Sequence, residues 1–300
     1  MAKYRILTFD GGGVRGALTA VLLKRLSDVF PGLVDSADLF AGTSTGSFIA
    51  LGLAYGLEPD DLIHLYSESK CRFVFSPRYN NLSRPRYNNE NLKELLRSVF
   101  SRDLKLKDLK RNVLVPSFRL SGPDNEAWGP VFFNNFPGSP TLDESVIDVA
   151  LCSSAAPTFF PPYGRYIDGG VIANNPSTAA IAAAIDAKAG RRDLKDVYLL
   201  SFGTGSNKYR IDADTKDWGV LEWLLYPCPP LPILTVLTDG VVDADVIHGR
   251  QLLGDRYYRL NPVLPKPVPL DRHHQIPYLL KCAEKFDLEP VSDWIAQKWC

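Results

Sequence analysis

Two glycine-rich turns near the N-terminus constrain the fold of this 300-residue chain more than any other feature. Each turn follows a short apolar segment, Tyr4 to Phe9 in the first case and Leu39 to Ala41 in the second. Each turn is also followed by a segment whose apolar residues have helical spacing. A strand, a tight turn and a helix in repeated succession are typical of a parallel sheet covered by helices. The sequence therefore predicts an α/β fold with a central, mostly parallel sheet flanked by helices.

The rest of the chain predicts further strands and helices of the same kind. The strands are expected at Asn112 to Leu120, Val131 to Asn134, Arg165 to Ile167, Val197 to Phe202 and Tyr257 to Leu260. The helices are expected at Val14 to Phe30, Ser47 to Tyr55, Glu58 to Lys70, Glu90 to Phe100, Asp143 to Ser153, Pro176 to Ala189 and Leu237 to Leu253, with two more closing the chain. Because no change in composition marks a linker, we expect a single domain of residues 1–300, in which residues 206–300 complete the fold of residues 4–205.

The charge and cysteine content exclude several classes of protein. The 34 Lys and Arg residues balance the 34 Asp and Glu residues, so no overall field attracts nucleic acid, and we expect no nucleic-acid partner. No apolar run approaches the roughly 20 residues of a spanning helix, and no signal sequence is apparent. An odd number of scattered cysteines argues against a disulfide framework and a zinc site; they are Cys71, Cys152, Cys228, Cys282 and Cys300. We expect a cytoplasmic protein with no metal and no cofactor.

The second glycine-rich turn, Gly42 to Gly46, has the form G-x-S-x-G. This pattern is typical of a sharp strand-to-helix turn that lifts a serine hydroxyl above the edge of a sheet. The neighbouring helix N-terminus favours the negative charge of an attacking alkoxide. The turn predicts Ser44 as a nucleophile, and a glycine-bounded turn that Ser44 merely caps is the alternative.

The first glycine-rich turn, Asp10 to Gly16, has two interpretations. Its glycines fit the G-x-G-x-x-G pattern of a dinucleotide-binding oxidoreductase, which also needs an acidic residue at the end of the next strand. Asp35 and Asp38 lie before that strand instead of after it, which disfavours this interpretation. The other interpretation is an oxyanion hole, in which successive glycine N–H groups stabilise a developing alkoxide.

A serine nucleophile needs a general base, and the histidines of this chain are poor candidates. They lie within predicted helices or after a proline-rich segment, where structural or solvated roles are expected; they are His64, His248, His273 and His274. A carboxylate is the alternative base. Asp168 lies at a strand end before two glycines, where it could either face Ser44 or simply hold a turn.

Three motifs in this order resemble the patatin-like phospholipase family: DGGGVRG at 10–16, GTSTG at 42–46 and DGG at 168–170. Further similarity at 153–161, 170–176 and 200–205 extends the resemblance over about residues 4–205. It implies a three-layer, patatin-like α/β fold and a phospholipase A-type lipid acyl hydrolase that uses a Ser–Asp dyad.

The resemblance also implies a role for each residue of the site. Ser44 is the nucleophile and Asp168 its base, and the backbone N–H groups of Gly11, Gly12 and Gly13 form the oxyanion hole. Arg15 organises this loop or adds charge to it. Because an aspartate is a weak base near its ordinary pKa of about 3.9, we expect Asp168 to be partly buried, with a raised pKa.

Two regions are candidates for transient contact with a lipid interface. The apolar stretch Trp218 to Leu237, which includes Trp223, forms either an interfacial lip or ordinary core. The arginines before Glu90 either contact phosphate headgroups or belong to a solvated loop; they are Arg72, Arg78, Arg84 and Arg86. From these regions we select Arg78, Arg86 and Trp223 as candidate substrate contacts, and we expect peripheral association with membranes.

An acidic cluster in the last third does not follow the spacing of a calcium loop, so we interpret its members as charges on a helix surface; they are Asp239, Asp243 and Asp245. The last third is also the only room for a site that would make this chain a ligand-gated or toxin-type phospholipase effector. The oligomeric state is open.

Overall fold

A computed structural model describes residues 3–79, 83–122, 126–207, 209–227, 229 and 231–300. In this part of the chain a seven-stranded sheet forms the centre of the molecule. Its strands are β1 (Tyr4–Phe9), β2 (Leu39–Gly42), β3 (Asn112–Arg119), β4 (Gly129–Asn134), β5 (Tyr166–Asp168), β6 (Val197–Phe202) and β7 (Tyr257–Leu260). The strand order is β4-β3-β2-β1-β6-β7, and β5 pairs with β3. The five strands from β3 to β7 in this order are parallel, whereas β4 and β5 run antiparallel to β3.

Helices cover both faces of the sheet. They are α1 (Gly16–Val29), α2 (Thr45–Tyr55), α3 (Pro59–Leu65), α4 (Glu68–Val74), α5 (Asn89–Arg97), α6 (Val146–Ser154), α7 (Gly170–Ala173), α8 (Ser177–Ile185), α9 (Val220–Leu225), α10 (Pro232–Leu253), α11 (Ile276–Lys285) and α12 (Glu289–Trp294). Along β1, Leu7 and Phe9 join one buried apolar cluster, and Tyr4 and Ile6 join a second cluster on the other face. The predicted α/β fold with a mostly parallel central sheet is therefore confirmed.

Several helices differ from the prediction: α10 begins five residues earlier than expected, at Pro232, and α7 and α9 were not predicted. Two further differences have local polar contacts as their cause. The helix expected from Glu58 to Lys70 is divided into α3 and α4, because Ser67 caps the N-terminus of α4 and its hydroxyl accepts from the Lys70 N–H at 3.4 Å. α8 ends at Ile185 instead of Ala189, since the Asp186 carboxylate accepts from the Lys188 N–H at 2.8 Å and turns the chain.

The register of the central strands brings the two glycine-rich turns together. β1 and β2 are parallel, and Phe9 pairs with Gly42 at their carboxyl ends. Both turns therefore leave the same edge of the sheet side by side. No helix in the described ranges is long and apolar enough to span a bilayer. Cys228 lies outside the described residues, and the other four cysteines are free thiols.

Candidate active site

Ser44 lies at a strained turn between β2 and α2. Its backbone has φ 53° and ψ −122°, a conformation that residues with a side chain rarely adopt. The turn is too tight for any side chain at its glycines: a Cβ on Gly42 would lie 2.1 Å from the Gly46 carbonyl oxygen, and one on Gly46 would lie 2.2 Å from that of Phe9. The result is a half-buried serine whose side chain is presented at the sheet edge.

Hydrogen bonds from outside the turn hold Ser44 in this conformation. The Ser44 N–H donates to the hydroxyl of Ser153, at 3.0 Å, and that hydroxyl donates to the Pro116 carbonyl at 2.7 Å. The Ser47 hydroxyl donates to the Ser44 carbonyl at 2.6 Å. Ser153 on α6 thus links the turn that holds Ser44 to β3, a positioning role that the sequence did not predict for this residue.

Asp168, the last residue of β5, is buried next to Ser44. Its carboxylate accepts a hydrogen bond from the Gly170 N–H at 2.7 Å, and it also interacts with the Ser44 side chain. Burial raises the pKa of Asp168 from 3.8 to about 6, although the contacts with Gly170 and Ser44 lower it in part. The expected burial and raised pKa are confirmed, and the value is suited to a base that works near neutral pH.

The first glycine-rich turn needs a correction at Gly11. The Gly11 N–H donates to the Asn174 carbonyl at 2.9 Å, so it cannot also bind an oxyanion. Within the described residues, no backbone carbonyl accepts from the N–H of Gly12 or Gly13. Both of these glycines line the same cavity as Ser44, whereas Gly11 does not. The candidate oxyanion hole therefore consists of two N–H groups.

Two buried arginines, Arg15 and Arg259, hold the first glycine-rich turn in place. Arg15 is buried, and it donates to the carbonyls of Gly12, at 3.3 Å, and Gly205, at 3.0 Å. Its observed contacts thus match the expected organising role. Arg259 on β7 forms a buried two-pronged ion pair with Asp10, in which one hydrogen bond measures 2.8 Å. Only the fold brings these two residues together, 249 positions apart, so sequence analysis missed the pair.

A cavity of about 200 Å³ opens over Ser44 and Asp168. Its walls are mainly apolar side chains from α2, α4, α5 and the segment after α6, such as Phe48, Val74, Leu92 and Phe160. An apolar cavity that ends at a serine beside a buried carboxylate is suited to an alkyl or acyl chain with one reactive carbonyl.

The arginines selected as substrate contacts do not reach this cavity. Arg86 donates to the buried carboxylate of Asp271 at 2.8 Å and so holds its own loop against the protein. Arg78 and Arg84 are exposed, and their guanidinium groups lie over the Tyr79 ring at 5.3 and 4.9 Å from its centre. Arg86 thus forms a structural ion pair outside the cavity, Arg78 also lies away from it, and the headgroup contact of both residues stays a prediction.

Trp223 also lies outside the cavity walls. It is half-buried on α9 and packs against the Trp218 ring, with 5.2 Å between the ring centres. None of the residues of α9 is buried, so the interpretation of the stretch Trp218 to Leu237 as ordinary core does not hold for α9.

The acidic residues of α10 are less exposed than the sequence suggested. Asp239 is half-buried and lines both the main cavity and an adjacent polar cavity of about 70 Å³, and burial raises its pKa. Burial also raises the pKa of half-buried Asp245 to about 6. The interpretation as surface charges fits exposed Asp243 and is corrected for the other two, because Asp239 faces the Ser44 cavity and Asp245 faces Thr178 of α8.

The alternative chemistries find little support at this site. Asp38 accepts from the Arg5 N–H at 2.8 Å near the start of β1, and β2 ends at Gly42 where a dinucleotide site would need an acid. None of the four histidines lines the cavity. Among the described residues, no three histidine, cysteine or acidic side chains are grouped as metal ligands.

Comparison with known proteins shows the family. The family profile described as Patatin-like phospholipase matches residues 7–181. Protein teg of Priestia megaterium is 37% identical over the full length of both chains. The putative sporulation hydrolase CotR of Bacillus subtilis is 38% identical over 100% of this chain and 99% of its own. A cGAMP-activated phospholipase of Escherichia coli is 31% identical over 90% of this chain and 83% of its own. The chain belongs to the patatin-like phospholipase family.

Proposed function

We propose that this protein is a lipid acyl hydrolase of the phospholipase A type, which cleaves fatty-acyl esters through an acyl-Ser44 intermediate. The observation that carries the proposal is the juxtaposition of Ser44, on its strained turn, with buried Asp168 at an apolar cavity. Membership of the patatin-like phospholipase family supports a lipid hydrolase. We also propose that residues 1–300 act as one domain, in the cytoplasm and at the periphery of membranes.

In the first half-reaction, the Ser44 oxygen attacks the ester carbonyl carbon while Asp168 takes the hydroxyl proton. The N–H groups of Gly12 and Gly13 stabilise the negative charge that develops on the carbonyl oxygen. The carbon–oxygen bond to the lipid alcohol then breaks, and the alcohol leaves with the proton from Asp168. The products are the lysolipid and acylated Ser44.

In the second half-reaction, water replaces the alcohol. Asp168 takes a proton from the water as its oxygen attacks the acyl carbonyl carbon, and the same two N–H groups stabilise the oxyanion. The bond to Ser44 breaks, Ser44 recovers the proton, and the fatty acid leaves. No cofactor or metal takes part in either step.

Fatty-acid release from phosphatidylcholine vesicles and cleavage of a short-chain nitrophenyl ester test this proposal. Ser44→Ala and Asp168→Asn should each lower both rates at least about 1,000-fold. Ser98→Ala and Asp243→Asn, which change exposed residues of the same types, should keep wild-type rates. Serine-independent hydrolysis, or full activity of Asp168→Asn, would overturn the dyad.

A ligand-gated phospholipase effector is the second candidate, because a relative at 31% identity is named a cGAMP-activated phospholipase. The same assays separate the two functions. Vesicle hydrolysis without any added ligand supports an ungated enzyme. Ser44-dependent cleavage of the nitrophenyl ester, together with vesicle hydrolysis only after a cyclic dinucleotide is added, supports the gated one.

A further inference from the structure

The surface next to the cavity carries a group of exposed apolar side chains, which we call the α9–α10 cap and define as residues 220–225 and 231–238. In α9, Val220 is 74%, Leu221 66% and Leu225 57% exposed. A six-residue helix is too short to be stable through its own hydrogen bonds, and this one buries none of its side chains. Its apolar surface is therefore available to a partner.

The first half of α10 has apolar side chains on two opposite faces. Leu231, Leu234 and Thr238 line the cavity that contains Ser44. Ile233, Val236 and Leu237 are exposed on the opposite face, as helical spacing requires. The width of one helix, α10, thus separates the cavity from an apolar outer surface, so a molecule bound to the cap lies next to the cavity.

The charge of the cap indicates what kind of surface it fits. The sequence has no charged residue from 223 to 238, and the nearest charges, Glu222 within α9 and Asp239 just after the cap, are negative. A contact of this kind gains nothing from anionic headgroups and depends on the burial of apolar area. Trp223 of the cap packs against Trp218, which also packs against Tyr226, and such rings favour the boundary between headgroups and acyl chains.

We propose that the α9–α10 cap docks on a zwitterionic lipid layer by inserting its apolar side chains. This inference rests on the proposed lipid hydrolase, and it names the surface through which the Ser44 site meets its substrate. The cap is continuous with the cavity wall, whereas Arg78, Arg84 and Arg86 do not line the cavity, and Arg86 is bound to Asp271. Apolar insertion, not headgroup charge, delivers the lipid.

Binding to phosphatidylcholine vesicles tests the proposal, with Ser44→Ala as the background so that the vesicles stay intact. The double variant Leu221→Gln/Leu225→Gln removes two exposed leucines without adding charge, and glutamine keeps helix propensity. Its vesicle partition coefficient should fall at least about tenfold, since each leucine loses its apolar burial in lipid. Raising the salt concentration should leave wild-type binding unchanged.

Val29→Gln is the matched control. Val29 is 59% exposed, a fraction similar to those of Leu221 and Leu225. It lies at the end of α1, which runs away from the sheet edge that holds the active site. This variant should bind vesicles like the parent. When the same substitutions are made with Ser44 intact, cleavage of the short-chain ester should be equal in all variants. This result separates a failure of docking from a failure of the hydrolase.

Three results would overturn the proposal: unchanged vesicle binding of the double variant, binding that salt abolishes, and no binding by the parent protein. Light scattering during size-exclusion chromatography provides a fourth test. A dimer that Leu221→Gln/Leu225→Gln dissociates would show that a second copy of the chain covers the cap instead of lipid.

Discussion

The turn that holds Ser44 and the α10 part of the α9–α10 cap line the same cavity, but the turn and the cap are built in opposite ways. At the turn, a Cβ on Gly46 would lie 2.2 Å from a backbone oxygen, and hydrogen bonds to Ser153 and Ser47 hold Ser44 at both its N–H and its carbonyl. In α10, a Cβ on Gly240, two residues beyond the cap, would meet no atom within 4 Å, and α9 of the cap buries no side chain.

This contrast separates what catalysis requires from what contact with a substrate surface requires. A serine with φ 53° stores strain of about 1–3 kcal/mol and persists only where its surroundings are tightly packed. Apolar side chains that dock on lipid must instead remain exposed until the lipid arrives. The predictions below test this difference, from the largest expected effect to the smallest.

Replacing glycine by alanine should have opposite effects on stability in the Ser44 turn and in α10. Gly46→Ala forces a methyl group onto the Phe9 carbonyl and should lower the free energy of unfolding by about 3 kcal/mol or more. Gly240→Ala enters open space in a helix and should raise it by about 0.5–1 kcal/mol. Urea denaturation gives the free energy of unfolding of both variants. Equal changes in the two variants would contradict the difference in packing.

The buried charge of Asp168 should make the active site a source of instability at high pH. Its folded pKa of about 6 lies above its ordinary 3.8, so the folded state holds the proton more tightly than the unfolded state. Stability is therefore lost as pH rises from about 4 to 6. Asp168→Asn should raise the free energy of unfolding at pH 8 by up to about 3 kcal/mol, with no gain below pH 4.

Thermal or urea unfolding of Asp168→Asn at several pH values checks this prediction. Asp243→Asn, an exposed residue of α10, is the control and should change stability little at any pH. In the wild type, kcat/KM should also increase with pH through about 6 as Asp168 becomes the ionised base. A gain in stability that does not depend on pH would show that the buried charge is not its cause.

Ser153 should affect the reaction without touching the substrate carbonyl. Ser153→Ala removes the acceptor of the Ser44 N–H, and kcat should fall about tenfold with little change in KM, because the turn is less well positioned. Ser145 caps the same helix, so Ser145→Ala should lower stability by about 1 kcal/mol and leave kcat unchanged. Equal kcat values for the two variants would assign Ser153 a purely structural role.

The smallest effect is expected in the cap. Leu221→Gln should change the free energy of unfolding by less than about 0.5 kcal/mol, because the side chain is already 66% exposed. The same substitution at Leu51, fully buried on α2, should destabilise by several times that amount, as it puts a polar group in the core. A large loss of stability in Leu221→Gln would mean that the cap is packed against the protein.

The sequence predicted those parts of the molecule whose geometry is local. β1, β6 and β7 lie within their expected bounds because each is a short apolar run between turn-forming residues. Ser44 and Asp168 were predictable because their glycine motifs encode tight turns. The resemblance to a family then linked the two residues, which lie far apart in the chain.

What the sequence could not supply depends on contacts between distant segments. The Asp10–Arg259 ion pair and the Ser44–Ser153 hydrogen bond form only after the sheet is assembled. The use of the Gly11 N–H by Asn174 is likewise invisible in the motif, where three adjacent glycines are equivalent. The cap was ambiguous for a related reason: an apolar run has the same composition whether it is buried or exposed.

Covalent labelling with an alkyl fluorophosphonate tests the central claim, a Ser44 nucleophile activated by Asp168, most directly. Intact mass and peptide mapping of the wild type should show one adduct, on Ser44, with loss of ester hydrolysis in proportion to labelling. Asp168→Asn should react far more slowly. Loss of activity with the label on another residue, or full activity with Ser44 labelled, would contradict the account.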